Sequence, residues 1–268
     1  MEKVKIAIIH NKTPLSLKVM SELSQKLIAS GHEINQTEPE LVISVGGDGT
    51  LLSAFHLFNH KLDQVRFLGV HTGHLGFYTD WRDYELDELV ASLNTKQEAS
   101  VRYPLLDVRI TYRNGKEPKH FLSLNESTIK RNDSTMVADI YIKDEFFERF
   151  RGDGLSIATP TGSTAYNKSI GGAVLHPRIN AIQLTEIASL NNRVFRTLGS
   201  PMVIGSHEWI EVRLQESDEC VITIDQFRLQ QDEIDSIYYK IADENIQFAS
   251  YRHTHFWRRV RDAFIGES

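Results

Sequence analysis

Apolar positions recur along the chain with two different periods, and the change of period divides it. Val4 to Ile9 is a short apolar run that predicts a strand. Leu15, Val19, Met20, Leu23, Leu27 and Ile28 follow at helical spacing, and Ser30-Gly31 supplies a stop. Leu41-Val-Ile-Ser-Val45 reads as a fully buried strand and runs into Gly46-Gly-Asp-Gly-Thr50, with helical spacing resuming at Leu51. Val65 to Val70 predicts another buried strand, and Tyr84 to Leu93 an amphipathic helix. This alternation implies a small parallel α/β layer, Rossmann-like, over about residues 1–98.

Beyond that point the segments shorten and alternate with period two. Val101 to Tyr112, Phe121 to Lys130, Val137 to Ile142, Ile210 to Leu214, Val221 to Ile224 and Ile237 to Ile241 predict a β-rich, sandwich-like region over 99–253. Ile179 to Leu190 is the one helical pattern within it. Phe256 to Ile265 predicts an amphipathic C-terminal helix that folds back onto the first domain, so about 254–268 joins residues 1–98.

Composition narrows the function classes. Apolar residues make up 41% and charged residues 25%, as in a folded globular chain. The net charge of −6 and the lack of a Lys/Arg run argue against a nucleic-acid partner. The single cysteine, Cys220, permits neither an internal disulfide nor a Cys-x-x-Cys metal site. No apolar run approaches membrane-spanning length, and the N-terminal strand is too short for a signal segment, which makes a cytoplasmic location the expectation.

Three stretches carry candidate chemistry. Gly46, Gly47 and Gly49 lie between a buried strand and a helix start, where close backbone approach and unpaired N–H groups suit phosphate oxygens. Asp48 among them would repel phosphate unless it meets a metal or takes a proton; the competing reading is an N-cap. The turn is neither a Walker loop nor a G-x-G-x-x-G fingerprint, which fails at Leu52. Asn125-Glu126 pairs an amide with a carboxylate, suited to a sugar diol or a base edge, or else caps a strand. From Phe150 to Gly172 the chain holds five glycines, with Tyr166, Asn167 and Lys168 together. That loop offers hydrogen bonds, an aromatic face and a cation, or is a plain Ser/Thr/Gly surface loop. The pairs His71/His74 and His253/His255 are read as polar loop contacts rather than metal ligands, and Arg151-Gly-Asp153 as an incidental tripeptide.

Taken in order, Gly46-Gly-Asp-Gly-Thr50, Gly69 to Phe77, Asn125-Glu126, Asp153-Gly154 and Thr159-Pro-Thr-Gly-Ser-Thr-Ala-Tyr166 resemble the motifs of NAD kinases, most similarly the shorter Gram-positive members. The glycine turn alone looks equally like diacylglycerol, sphingosine and phosphofructokinases; the Thr159–Tyr166 segment after Asp-Gly singles out the NAD kinases. The resemblance implies transfer of the γ-phosphate of ATP to the adenosine ribose 2′-hydroxyl of NAD, and a two-domain fold. It also implies a divalent cation, Mg²⁺, held through the ATP phosphates without a direct protein ligand, and self-association as a dimer or tetramer. It places Asp48 and Gly49 at the acceptor and phosphates, Phe77 and Tyr78 in the adenine pocket, and Asn125 and Glu126 on ribose and base. Arg151 and Asp153 would lie near the nicotinamide half or across a subunit interface. Thr164, Ala165, Tyr166, Asn167, Lys168 and Ser169 would wrap the dinucleotide, with Ala188 beside it. The chain has Asp225-Gln226 where many members have Asp-Gly-Gln, so Gln226 is carried over across a departure, and His71 stands where Asn is common. A lipid or sugar kinase and a non-catalytic NAD(P) sensor are the competing classes; an acceptor pocket built of Tyr166, Asn125 and Glu126 speaks against the first, and Asp48 against the second.

Overall fold

The computed structural model describes residues 3–73, 76–95, 100–131, 133–215, 220–231, 233–250 and 255–266. His74 and His253 lie outside these residues. The chain divides into two compact units, Met1–Arg102 with Asn245–Ser268, and Tyr103–Glu244.

The first unit begins β1 (Lys5–His10), α1 (Pro14–Ala29), β2 (Glu33–Ile34), β3 (Leu41–Val45), α2 (Asp48–Phe58), β4 (Arg66–His71), β5 (Trp81–Arg82) and α3 (Leu86–Leu93). Strands β2-β1-β3-β4 pair in that order and in parallel. The β3 residues are all buried, as expected for a strand covered on both faces. Thr13 caps α1 through its hydroxyl, with Pro14 opening the helix, and Gly31 takes φ +88° just beyond its end. Leu23 and Leu27 of α1 and Leu89 of α3 share a core with Ile6, Ile43 and Val70.

The second unit is all antiparallel. Its strands are β6 (Ser100–Tyr112), which starts in the first unit, β7 (Lys119–Ser123), β8 (Glu126–Lys130), β9 (Met136–Ile142), β10 (Glu145–Gly152) and β11 (Gly154–Ala158). After the short helix α4 (Tyr166–Ser169) come β12 (Ala181–Ile187), β13 (Met202–Gly205), β14 (Ile210–Leu214), β15 (Cys220–Ile224), β16 (Phe227–Gln231) and β17 (Ile234–Ala249). One sheet runs β13-β12-β11-β8-β15-β16; the other contains β10-β9-β14-β17, with β6 joining β17 to β7. Their inner faces share one core, in which Leu106, Val108 and Ile110 alternate along β6 and meet Ile129, Ile157, Ile182 and Ile222.

Two sequence expectations change here. The helix expected over Ile179–Leu190 is the strand β12, paired on both edges. Its residues Ala181 to Thr185 are buried on both faces, and a short run of that kind has no period with which to declare itself. The segment Phe121–Lys130 is two strands, β7 pairing β6 and β8 pairing β11, because the chain changes sheets at Leu124-Asn125. The first compact unit takes in Asn245–Ser268, and β17 runs into it until Phe248 pairs with Phe67 of β4. Helix α5 (Phe256–Phe264) then closes the first unit.

Candidate active site

In the first unit the glycine turn is dictated by close packing. Gly46 has φ +154°, and a Cβ there would collide with the Thr50 side chain and lie 2.9 Å from Asn11 Nδ2. Its N–H donates to Val70 O at 2.9 Å, tying the turn to the next strand. Gly47 is the N-cap of α2 and offers no side-chain cap for the first-turn N–H groups, and Gly47 and Gly49 are exposed. Asp48 is therefore the first helical residue and not the cap.

The Asp48 carboxylate has a defined place. Phe77 N–H donates to Oδ2 at 2.8 Å and Tyr78 N–H to Oδ1 at 3.0 Å. A side chain on Gly76 would collide with that carboxylate. The Phe77 ring stacks on Phe264, 5.7 Å between centroids, and the buried Tyr78 ring lies parallel to Phe248 at 5.8 Å. His71 Nδ1 meets Gly73 O at 3.0 Å, a loop contact.

In the second unit, Asn125 and Glu126 stand where the chain changes sheets, and the strand ends are gathered by Asp225. This residue has φ +51° between β15 and β16. Its carboxylate accepts from Ser123 Oγ at 2.6 Å and from the N–H groups of Leu124, Asn125 and Glu126 at 3.0, 2.6 and 3.3 Å. Thr159 and Thr161 hydroxyls donate to Leu124 O at 2.6 and 2.9 Å. Glu126 is 7% exposed and its Oε2 has no hydrogen-bond partner. Burial, and then the neighbouring Asp225 charge, push its carboxyl up to about 8, so it holds a proton at neutral pH.

The register of β11 separates the remaining residues. Ala158 pairs with Glu126 at one end, and Gly154 pairs with Lys130 and Ile187 at the other. Asn125 and Glu126 thus lie about 17–20 Å along the strand from Asp153 and Ala188. Asp153 is exposed and donates its N–H to Ile187 O at 3.0 Å; Ala188 is held at φ +48°. Arg151 lies over the Phe195 ring at 4.2 Å. Tyr166 meets Lys130, its hydroxyl bonded to Nζ and its ring 4.3 Å from that cation. Asn167 is fully buried: Oδ1 accepts from Thr185 Oγ1 at 2.8 Å, while Nδ2 has no partner. Thr164 is buried and Ala165 half-buried, Lys168 and Ser169 are exposed, and Gln226 is exposed beside Asp225.

Two residues escaped the sequence reasoning. Asp225 was visible as a motif letter but not as the clamp on Asn125-Glu126. Arg259 of α5 is 7% exposed and bonds to the 76–80 segment. Its only sequence signal, an Arg in an amphipathic helix, is that of any solvated face.

A glycine turn opening a helix, a fixed carboxylate beside it, and a separate unit carrying a polar, aromatic-lined loop define a phosphotransferase that acts on a nucleotide. Family models agree in detail: the ATP-NAD kinase N-terminal domain matches residues 6–99 and the ATP-NAD kinase C-terminal domain matches residues 124–243. The chain is 69% identical to the NAD kinase of Enterococcus faecalis over 98% of its length and 100% of that protein. It is 58% identical to the NAD kinase of Latilactobacillus sakei, covering 98% of each. Among solved structures, yeast NADH kinase complexed with NADH shares the fold at TM-score 0.84 and 21% identity, over 98% of this chain and 88% of that one. The chain belongs to the NAD kinase family, and its substrates are ATP and NAD.

Proposed function

We propose that Asp48 takes the proton from the ribose 2′-hydroxyl of NAD as that oxygen attacks the γ-phosphorus of ATP. The supporting observation is its carboxylate, held by two backbone N–H groups at the N-terminus of α2. Each oxygen accepts one such bond and keeps lone-pair capacity for the acceptor hydroxyl. A hydroxyl is a poor nucleophile, and proton removal in the transition state contributes about 10²–10⁴-fold. The N–H groups of the turn stabilise charge developing on the transferring phosphoryl group.

NAD is held by the second unit. Asn125 and the protonated Glu126 take the ribose and base of the adenosine, Tyr166 offers its ring, and Thr164 to Ser169 follow the dinucleotide toward Asp153, Arg151 and Ala188. Phe77, Tyr78 and Gln226 complete the contacts. The turn presents N–H donors, which suit an anion, so a divalent cation would be carried by the ATP phosphates, where it would supply charge neutralisation. The chain self-associates as a dimer or tetramer, with Arg151 and Asp153 near the neighbouring subunit.

The test is an ATP- and NAD-dependent assay that follows NADP. Asp48→Asn is expected to lower kcat by about 10²–10⁴-fold with little change in NAD affinity. Near-normal turnover by that variant would overturn the role of Asp48.

A further inference from the structure

The two N–H donors that hold Asp48 belong to two particular peptide groups, Gly76–Phe77 and Phe77–Tyr78. The carbonyls of those same two peptides face Arg259. Its Nη1 donates to Gly76 O at 3.1 Å and to Phe77 O at 2.8 Å, and to Thr79 O at 3.2 Å. The guanidinium is fixed from its other side by an ion pair between Nη2 and Asp80 Oδ1.

A peptide group is planar, with C=O and N–H pointing in opposite directions. A cation bonded to the carbonyls therefore turns both N–H groups toward whatever lies opposite. What lies opposite is the Asp48 carboxylate. The cation also polarises the two peptides and strengthens their N–H donation. Gly76 belongs to the same arrangement, because a side chain there would occupy the carboxylate's place.

We propose that Arg259 is a positioning residue for catalysis, acting on Asp48 through the Gly76–Phe77 and Phe77–Tyr78 peptides. The inference rests on the Asp48 reading given above. Arginine suits the role where lysine does not, since its planar fork reaches several carbonyls and Asp80 at once. A role confined to holding α5 in place would need none of the coincidence between the carbonyls it binds and the N–H groups that Asp48 accepts.

The experiment measures kcat, KM and thermal unfolding for Arg259→Ala, Arg259→Lys and Asp48→Asn, and for the double variant of Arg259→Lys with Asp48→Asn. A misplacement of catalytic groups by about 1 Å costs on the order of 10²-fold, so kcat is expected to fall about 10²-fold in Arg259→Ala and less in Arg259→Lys. KM for ATP should stay within about twofold, because Arg259 touches no substrate, and KM for NAD should change less than kcat, since Phe77 and Tyr78 shift only with their peptides. In the Asp48→Asn background, Arg259→Lys should lower kcat no further, since residues acting as a unit are not additive. Arg259→Lys carries the test by itself if the alanine variant does not fold. Unchanged kcat in a folded Arg259→Lys protein, or a loss that adds fully to that of Asp48→Asn, overturns the proposal. Near-normal turnover by Asp48→Asn alone overturns the Asp48 reading instead, and with it the route proposed for Arg259.

Discussion

The two candidate sites, one in each unit, are built by opposite strategies. In the first unit the phosphate turn is contiguous: β3, the glycines and α2 occupy residues 41–58, and the geometry follows from a strand ending where a helix begins. In the second unit the residues come from β8, the end of β10, α4, the β12 end and the β15–β16 turn, scattered from Asn125 to Gln226. They are brought together by strand pairing and by one carboxylate, Asp225, bonded to the residues of the 123–126 segment. The turn's backbone is set locally, with only the Asp48 carboxylate held from afar, while the second unit's residues depend on each of their long-range ties. On the function proposed above, the first carries the transferring group, where a displaced atom costs rate, and the second carries recognition, where it costs affinity.

Substitutions can break this division, and their expected effects descend in size. The largest is Asp48→Asn, whose loss should be confined to kcat in steady-state assays of NADP formation. Next is Asp225→Ala. Hydrogen bonds to a charged group are worth about 1.5–3 kcal/mol each, and replacing several N–H partners at once leaves them unpaired. Urea unfolding should show a loss of about 3 kcal/mol or more, and KM for NAD should rise by more than kcat falls. A variant with intact NAD affinity would show that the Asn125-Glu126 segment holds its shape without the clamp.

A smaller effect is expected at Glu126. Its folded carboxyl titrates near 8 against 4.5 for the ordinary group, so the folded state binds the extra proton between these values. Stability from this group is then highest below about pH 4.5 and falls as pH rises toward 8. Glu126→Gln removes that loss. Its melting temperature relative to the parent should rise steadily between about pH 5 and pH 8; a parallel pH profile for the two proteins would contradict the proton on Glu126. The smallest effect is Lys130→Met. The cation over the Tyr166 ring is worth about 0.5–1 kcal/mol at a partly exposed site, so NAD affinity should weaken by less than about tenfold. A change in kcat of similar size would instead join Lys130 to the chemistry.

What was legible in the chain follows the same division. Gly46 to Thr50 announced its own geometry, because three glycines after a buried strand have few other uses. Ser30-Gly31 and the stripe from Leu15 to Ile28 likewise marked α1 and its end. The strand β12 was read as a helix, because Ile182, Leu184 and Ile187 sit in a short run covered on both faces, where neither period dominates. The break at Leu124-Asn125 was invisible, since a change of sheet leaves no mark on alternation.

By itself the sequence determined the periodic elements, the phosphate turn and, through its ordered motifs, the family. These depend on neighbours within one or two turns of chain, which any stretch carries with it. Only the tertiary structure decided which groups face one another: Asp225 against Leu124, Asn125 and Glu126, Lys130 against Tyr166, and Arg259 against the peptides that hold Asp48. Those partners are separated by 36 to 183 positions. Hydrogen bonds join whatever folding brings within about 3 Å, and spacing along the chain carries no trace of that distance.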